Sequence, residues 1–354
     1  MTNDPVELTH GRYMRRCLQL AALGAGYVAP NPMVGAVLVY NNKIIGEGYH
    51  QRFGEAHAEV NCIASVEPAN RQYIPQSTLY VSLEPCAHHG KTPPCADLIV
   101  RNKIPKVIIG CRDPFKQVDG KGIEKLNAAG IDVNVGILEN ESKEINKRFF
   151  TFHTKHRPYI ILKWAQTADL KISSGTDNRL LISNEYSNRL VHKWRSEEAS
   201  ILVGTNTAVN DDPELTTRLW IGPSPVRMIV DMDLRLPSWL KIFNQQVRTI
   251  VFNKIKHEES GNLMYYQVTE DVPLVHQVVN ALYYLNIQSL IVEGGAKLLQ
   301  SFIDEDIWDE ARIITSTKMI AGIGLPAPQF NKSVFSASSY LHDDRIQIFT
   351  PAHK

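Results

Sequence analysis

His57-Ala58-Glu59, and after it Glu84-Pro85-Cys86-Ala87-His88-His89-Gly90-Lys91-Thr92-Pro93-Pro94-Cys95, decide how this chain is read. One histidine, two cysteines and a carboxylate that need not be a ligand are the parts of a zinc site with one open position. Zinc takes nitrogen and thiolate ligands tetrahedrally, and a catalytic zinc keeps its fourth place for water. His57 to Val66 reads as a helix whose first turn carries His57 and Glu59. Thr78 to Leu83 reads as a strand delivering Cys86, and Cys95 to Asn102 as a helix. Helix N-termini favour thiolates, the form zinc needs.

The pattern H-x-E followed by P-C and a second cysteine belongs to nucleobase deaminases, where the metal activates water and the glutamate carries the proton. Most deaminases place two residues between the cysteines. Here eight, Ala87 to Pro94, intervene, and the polar, proline-stiffened insert is a natural substrate reader. A structural zinc would need a fourth protein ligand, which His88 or His89 could supply. Asn31, between Pro30 and Pro32, is either a turn residue only or a contact to a base edge. Cys17, Cys62 and Cys111 sit in apolar contexts and read as core fillers.

Outward from that stretch, strands and helices alternate. A helix is expected over Arg12 to Gly24, a β-hairpin over Val34 to Tyr40 and Lys43 to Tyr49, strands at Lys106–Gly110 and Ile131–Gly136 around a helix at Gly122–Ala129, and one charged helix over Glu139 to Phe152. This is an α/β layered domain with its chemistry at strand ends. Arg157-Pro158 marks a boundary. Beyond it the pattern gives strands at Tyr159–Trp164, Ala199–Gly204, Val226–Asp231, Arg248–Asn253, Leu290–Val292, Ala311–Thr315 and Arg345–Phe349, with helices at Asn184–Ser196, Val272–Leu285 and Ala296–Ile303. The second half has no G-x-G-x-x-G after a strand. It has Ile291-Val292-Glu293-Gly294-Gly295-Ala296, either an ordinary turn or a helix start whose free amides bind phosphate.

Composition bounds the rest. At about 150 residues per domain, 354 residues suggest two domains. With 44% apolar and 21% charged residues the chain reads as soluble and globular, and a net charge of +1 lacks the basic excess of a nucleic-acid binder. Met1 to Arg16 has no signal-peptide core, and Met33 to Tyr40 is far short of the roughly 20 residues that span a bilayer. Five unevenly spaced cysteines fit reduced thiols, so a cytoplasmic protein is expected.

With Pro30-Asn31-Pro32-Met33-Val34-Gly35 and Gly46-Glu47-Gly48-Tyr49-His50 added, the first half resembles the bifunctional deaminase–reductases of riboflavin biosynthesis. Lys163-Trp164-Ala165, Val203-Gly204-Thr205-Asn206-Thr207, Asp211-Asp212-Pro213 and Leu215-Thr216-Thr217-Arg218 continue the resemblance, which spans about residues 9 to 320. It implies a zinc-dependent pyrimidine deaminase domain over residues 1–150, of cytidine-deaminase-like three-layer α/β/α fold. It also implies an NADPH-dependent, dihydrofolate-reductase-like α/β domain over residues 156–354. The implied reactions are deamination of diaminohydroxyphosphoribosylaminopyrimidine and reduction of the ribosyl chain to ribityl. By this match His57, Cys86 and Cys95 hold zinc and Glu59 shuttles the proton. Asn31, His88, His89 and Lys91 would meet the first substrate. Arg195, Leu215, Arg218 and Glu293 would meet the second, with the arginines gripping its phosphate. Taken alone, Arg195 could equally be a solvated helix residue. Gln166, Leu181, Thr207, Asp211, Gly294 and Gly295 would face NADPH. The expected partners are phosphorylated pyrimidines, with no nucleic acid and no membrane, and the expected assembly is a homo-oligomer. The chain departs from the family at Leu170, where glycine is usual after Thr167-Ala168-Asp169, and at Leu181, where tryptophan is common. The rival readings are a stand-alone nucleoside or tRNA-type deaminase with an unrelated tail and a zinc scaffold without catalysis. The eight-residue insert opposes the first, and Glu59 the second.

Overall fold

A computed structural model describes residues 5–87, 93–175 and 180–352. It divides into two compact units, Met1–His156 and Arg157–Lys354.

In the first unit the element order is α1 (Pro5–Ala22), β1 (Gly35–Tyr40), β2 (Lys43–Tyr49), α2 (Ala58–Ala64), β3 (Thr78–Leu83), α3 (Cys95–Arg101), β4 (Lys106–Cys111), α4 (Lys121–Ala128), β5 (Asp132–Val135), α5 (Glu139–Ile145) and α6 (Lys147–Lys155). The strands form one sheet in the order β2-β1-β3-β4-β5. Alternation along β1 divides the core. Val37 and Val39 pack with Tyr13, Met14, Cys17 and Leu20 of α1, while Ala36 and Leu38 pack with Ala58, Cys62 and Ile99 of α2 and α3. Cys17, Cys62 and Cys111 are buried. The result is α/β/α, with the apolar stripes of the helices closing both sheet faces.

Two local expectations change. The first helix begins at Pro5, well before Arg12, with proline at a position where its missing N–H costs nothing. The single helix expected over Glu139–Phe152 is two, broken at Asn146. The Asn146 amide turns away from the helix axis. Its Oδ1 accepts from Met33 N at 2.8 Å and its Nδ2 donates to Met33 O at 2.9 Å. The break therefore fastens the Pro30–Met33 loop.

The second unit runs β6 (Tyr159–Gln166), α7 (Glu185–Glu197), β7 (Ser200–Val203), α8 (Thr205–Asp211), β8 (Val226–Val230), β9 (Thr249–Asn253), β10 (Glu258–Ser260), β11 (Leu263–Gln267), α9 (Leu274–Tyr284), β12 (Ser289–Val292), α10 (Ala296–Asp304), β13 (Glu310–Ser316), β14 (Ser333–Leu341) and β15 (Asp344–Pro351). One ten-stranded sheet has the order β10-β11-β9-β8-β7-β12-β6-β13-β15-β14. It is parallel from β11 through β13 and antiparallel at both edges. Val278, Leu282, Leu299 and Phe302 cover one face. Val191, Trp194 and Ala208 cover the other. Because β12 lies between β6 and β7, the loops after β7 and β12 open side by side, and Gly204 N approaches Gly294 O at 3.4 Å. Such a crevice at strand carboxyl ends is where α/β sheets bind ligands.

Sequence periodicity missed α8, β10, β11 and β14. Helix α8 is seven residues, Thr-Asn-Thr-Ala-Val-Asn-Asp, of weak helix propensity. Strand β14 is exposed along nearly its whole length, so it carries no in-out alternation.

Candidate active sites

The zinc candidates converge. His57 is the residue before α2, with extended backbone, and Glu59 lies in that helix's buried first turn. Cys95 begins α3, and Cys86 follows β3. The Cys95 and Cys86 sulfurs lie 3.3 and 3.6 Å from His57 Nδ1, and all three ligand atoms lie within 4.8 Å of one another. With metal–ligand bonds of about 2.0–2.3 Å, these are the separations that three corners of a zinc tetrahedron require. Among the described residues no fourth His, Cys, Asp or Glu joins the group. His88, His89 and Lys91 lie outside the described residues, and with them the alternative of a fourth histidine ligand.

Electrostatics prepare the cluster for a cation. The Cys86 thiol falls to about 4, chiefly because the Cys95 side chain bonds it and further because of His57. Cys95 shifts the opposite way because it keeps the shared proton beside the Cys86 thiolate and is buried. A dication would release that second proton. Burial, and next the negative Cys86, raises Glu59, as suits a group that must both take and give a proton.

Asn31 serves both as a turn and as a side chain with a partner. Its backbone N–H donates to Val28 O at 2.8 Å, and its Nδ2 lies 3.1 Å from His50 Nε2. His50 Nδ1 lies 3.0 Å from Ala56 O, which can only accept, so Nδ1 carries the proton and Nε2 accepts from Asn31. With Nδ2 engaged by His50, the Asn31 carbonyl oxygen is the acceptor end of the amide.

Two residues framing this site were not singled out in the sequence. Asn146 is one. The other is Glu84, quoted as part of its motif but given no role. It is buried, with Oε2 accepting from Gly120 N at 3.0 Å and Asp113 N at 3.2 Å, and Oε1 from Gly122 N at 3.0 Å and Ile123 N at 3.3 Å. A carboxylate on the first amides of α4 satisfies donors a helix start leaves open. Gly122 is needed there because a Cβ would stand 1.9 Å from Pro85 O. Glu84 and Gly122 thus fix the segment that carries Cys86.

The second site is built on Glu293, which follows β12. Arg195 of α7 meets it with both edges of its fork, Nε to Oε1 at 2.9 Å and Nη2 to Oε2 at 2.7 Å, and Lys163 Nζ lies at 3.8 Å. Burial pushes the Glu293 carboxyl up, but Arg195 and Lys163 outweigh it and hold it below the usual range. The expected two-arginine grip on phosphate therefore changes. Arg195 offers its fork to Glu293 and is neither solvated nor open for a bidentate phosphate. Arg218 is half exposed, with Nη1 on Glu214 at 2.8 Å. Leu215 is buried at a left-handed φ of 54°.

Of the cofactor candidates, Thr207, Gly294 and Gly295 come together. A Cβ on Gly294 would stand 2.8 Å from Thr207 Cγ2, and Gly295 adopts φ 81°. Only glycines leave this cradle open before α10, whose first amides have no side-chain cap. The crevice fits a dinucleotide phosphate. Asp211 closes α8. Gln166 is buried with both amide ends engaged, Oε1 by Trp164 and Nε2 on Thr315, so its side chain is a strut. Leu181 is largely exposed. Leu170 adopts a left-handed backbone, φ 59°, a conformation that favours glycine.

Residues 8–111 match the family model described as the cytidine and deoxycytidylate deaminase zinc-binding region, and residues 158–331 match the RibD C-terminal domain. Riboflavin biosynthesis protein RibD of Aquifex aeolicus is 41% identical over 318 residues, 88% of each chain, and that of Actinobacillus pleuropneumoniae 34% identical over 91% of this chain and 87% of its own. A Thermotoga maritima crystal structure titled diaminohydroxyphosphoribosylaminopyrimidine deaminase/5-amino-6-(5-phosphoribosylamino)uracil reductase superposes with TM-score 0.88 at 35% identity, covering 98% of this chain and all of that one. A deaminase-type zinc cluster and a reductase-type crevice on one chain, matched from end to end, place it in the RibD family, the bifunctional zinc deaminases and NADPH-dependent reductases of riboflavin biosynthesis.

Proposed function

We propose that residues 1–150 deaminate diaminohydroxyphosphoribosylaminopyrimidine and that residues 156–354 reduce the ribosyl chain of the resulting aminouracil to ribityl. The observation that carries the first step is Glu59, buried in the first turn of the helix that begins beside His57. Zinc, when bound by His57, Cys86 and Cys95, supplies a Lewis acid that makes water nucleophilic near neutral pH. Glu59 takes the proton of the attacking water and returns it to the departing ammonia. Asn31, oriented by His50, accepts from an amino group of the pyrimidine, and His88, His89 and Lys91 of the insert contact the remainder.

NADPH supplies the hydride of the second step. Thr207, Asp211, Gly294 and Gly295 would hold it, and the Gln166 strand end and Leu181 would contribute to the same site. Glu293, fixed by Arg195, meets the ribosyl chain, Leu215 walls the pocket, and Arg218 binds the phosphate. Among the described residues no helix is long and apolar enough to cross a membrane. A cytoplasmic homo-oligomer that binds no nucleic acid completes the reading. A coupled assay tests it. The purified chain should contain one zinc, release ammonia from the diaminopyrimidine phosphate, and then oxidise NADPH in equal amount. Ammonia release without NADPH oxidation would favour a deaminase with an unrelated tail.

A further inference from the structure

Helix α7 reaches the Thr216–Arg218 segment at two points one helical turn apart. Arg195 Nη1 donates to Thr216 O at 3.4 Å, and His192 Nδ1 lies 2.9 Å from Arg218 N. A backbone N–H can only donate, so Nδ1 is the acceptor and the ring proton sits on Nε2. The imidazole is buried. Around it stand Arg195, Arg218, Lys163 and Glu293. Burial first, and then the positive charges, hold its pKa at about 4, so the ring stays neutral and Nδ1 stays an acceptor at physiological pH. A protonated ring would present a second donor to the Arg218 amide and break the contact.

We propose that His192 is a positioning residue of the reductase site, whose Nδ1 fixes the Arg218 backbone and thereby aims that guanidinium at the substrate's phosphate. The inference rests on Arg218 being the phosphate contact. Without His192 the Arg218 amide loses its partner, and a half-exposed arginine must be ordered by the substrate itself, at the expense of affinity.

Steady-state reductase kinetics on five variants test this, with NADPH affinity from fluorescence titration and melting curves alongside. His192→Leu removes the acceptor. His192→Gln, a polar variant better able to keep the fold, places its carbonyl near the Nε2 position and away from the amide. His192→Asn restores an acceptor where Nδ1 stood. The expected result is a KM for the aminouracil phosphate raised about tenfold in His192→Leu and His192→Gln, the scale of one charge-assisted contact. Turnover and NADPH affinity should stay within about twofold, with His192→Asn returning close to wild type. Because the effect runs through Arg218, adding His192→Leu to Arg218→Ala should raise KM no further. If Arg218→Ala raises KM while His192→Leu and His192→Gln leave it unchanged, the role of His192 is wrong and that of Arg218 stands. If Arg218→Ala leaves KM unchanged, both fall. Equal impairment in His192→Asn and His192→Leu, or a parallel loss of NADPH affinity, would mean that the ring serves packing and overturn the proposal.

Discussion

The two sites are assembled on different scales. The zinc cluster draws its three ligands from a span in which His57 and Cys95 are 38 positions apart, each at the start of a helix or just beyond a strand. The reductase site joins Arg195 to Glu293 across 98 positions and reads Arg218 through a backbone amide. By the resemblance drawn from the sequence, the first carries the expected motif and the second departs from it at Leu170 and Leu181. Metal chemistry demands specific donor atoms at bond length, which leaves little freedom in residue type. Substrate and cofactor binding is a sum of contacts in which apolar walls, struts and turns can be exchanged.

The largest effect that could break this contrast comes from Glu59→Gln. Ammonia release should fall about 10³-fold with zinc content unchanged, since only the proton carrier is altered. NADPH oxidation on pre-formed aminouracil substrate should persist. Loss of both activities would mean that the two sites are not independent. Next is Glu293→Gln, which leaves Arg195 and Lys163 around a neutral side chain. Breaking a buried pair costs about 3 kcal/mol, read as lower resistance of the reductase half to urea. Because the folded carboxylate lies below its unfolded value, its contribution is full above pH about 4.5 and disappears as pH falls through the folded value. Wild type should therefore lose more stability than Glu293→Gln between pH 6 and 3, and parallel losses would show that the pair is not the source.

Asn146→Ala sharpens the other side. Removing two hydrogen bonds to Met33 should loosen the loop that bears Asn31, raising the deaminase KM about fivefold, for about 1 kcal/mol, at unchanged zinc content. An unchanged KM would separate that loop from substrate binding. The smallest effect is expected from Leu170→Gly. Glycine relieves a left-handed backbone at an exposed site and should stabilise the fold by about 1 kcal/mol. Destabilisation would instead mean that the leucine side chain has acquired a contact of its own.

Much of the first site was legible in the residues alone. His57, Glu59, Cys86 and Cys95 are types whose grouping suits few chemistries besides zinc-activated water, and the flanking strand and helices announce themselves by periodicity. The supports were not legible. Glu84 acts on amides of Gly120, Gly122 and Ile123, Asn146 on the backbone of Met33, and His192 on the amide of Arg218. A side chain that bonds backbone leaves no trace in the partner's residue type, because every residue but proline offers the same N–H. Arg195 shows the converse limit. As a residue type it fits a phosphate, and only its distance to Glu293 reveals which anion its fork meets.

By itself, then, the order of residues determined the two-domain α/β plan and singled out His57, Cys86 and Cys95 as candidate metal donors and Glu59 as the candidate proton carrier, because periodicity, ligand chemistry and the short motif are local properties. Tertiary structure alone decided which arginine faces the carboxylate, that Gln166 is a strut, that the charged helix breaks at Asn146 to hold the Asn31 loop, and which histidine stays neutral. Those outcomes depend on burial and on distances between segments up to 149 positions apart, quantities that exist only once the chain has folded.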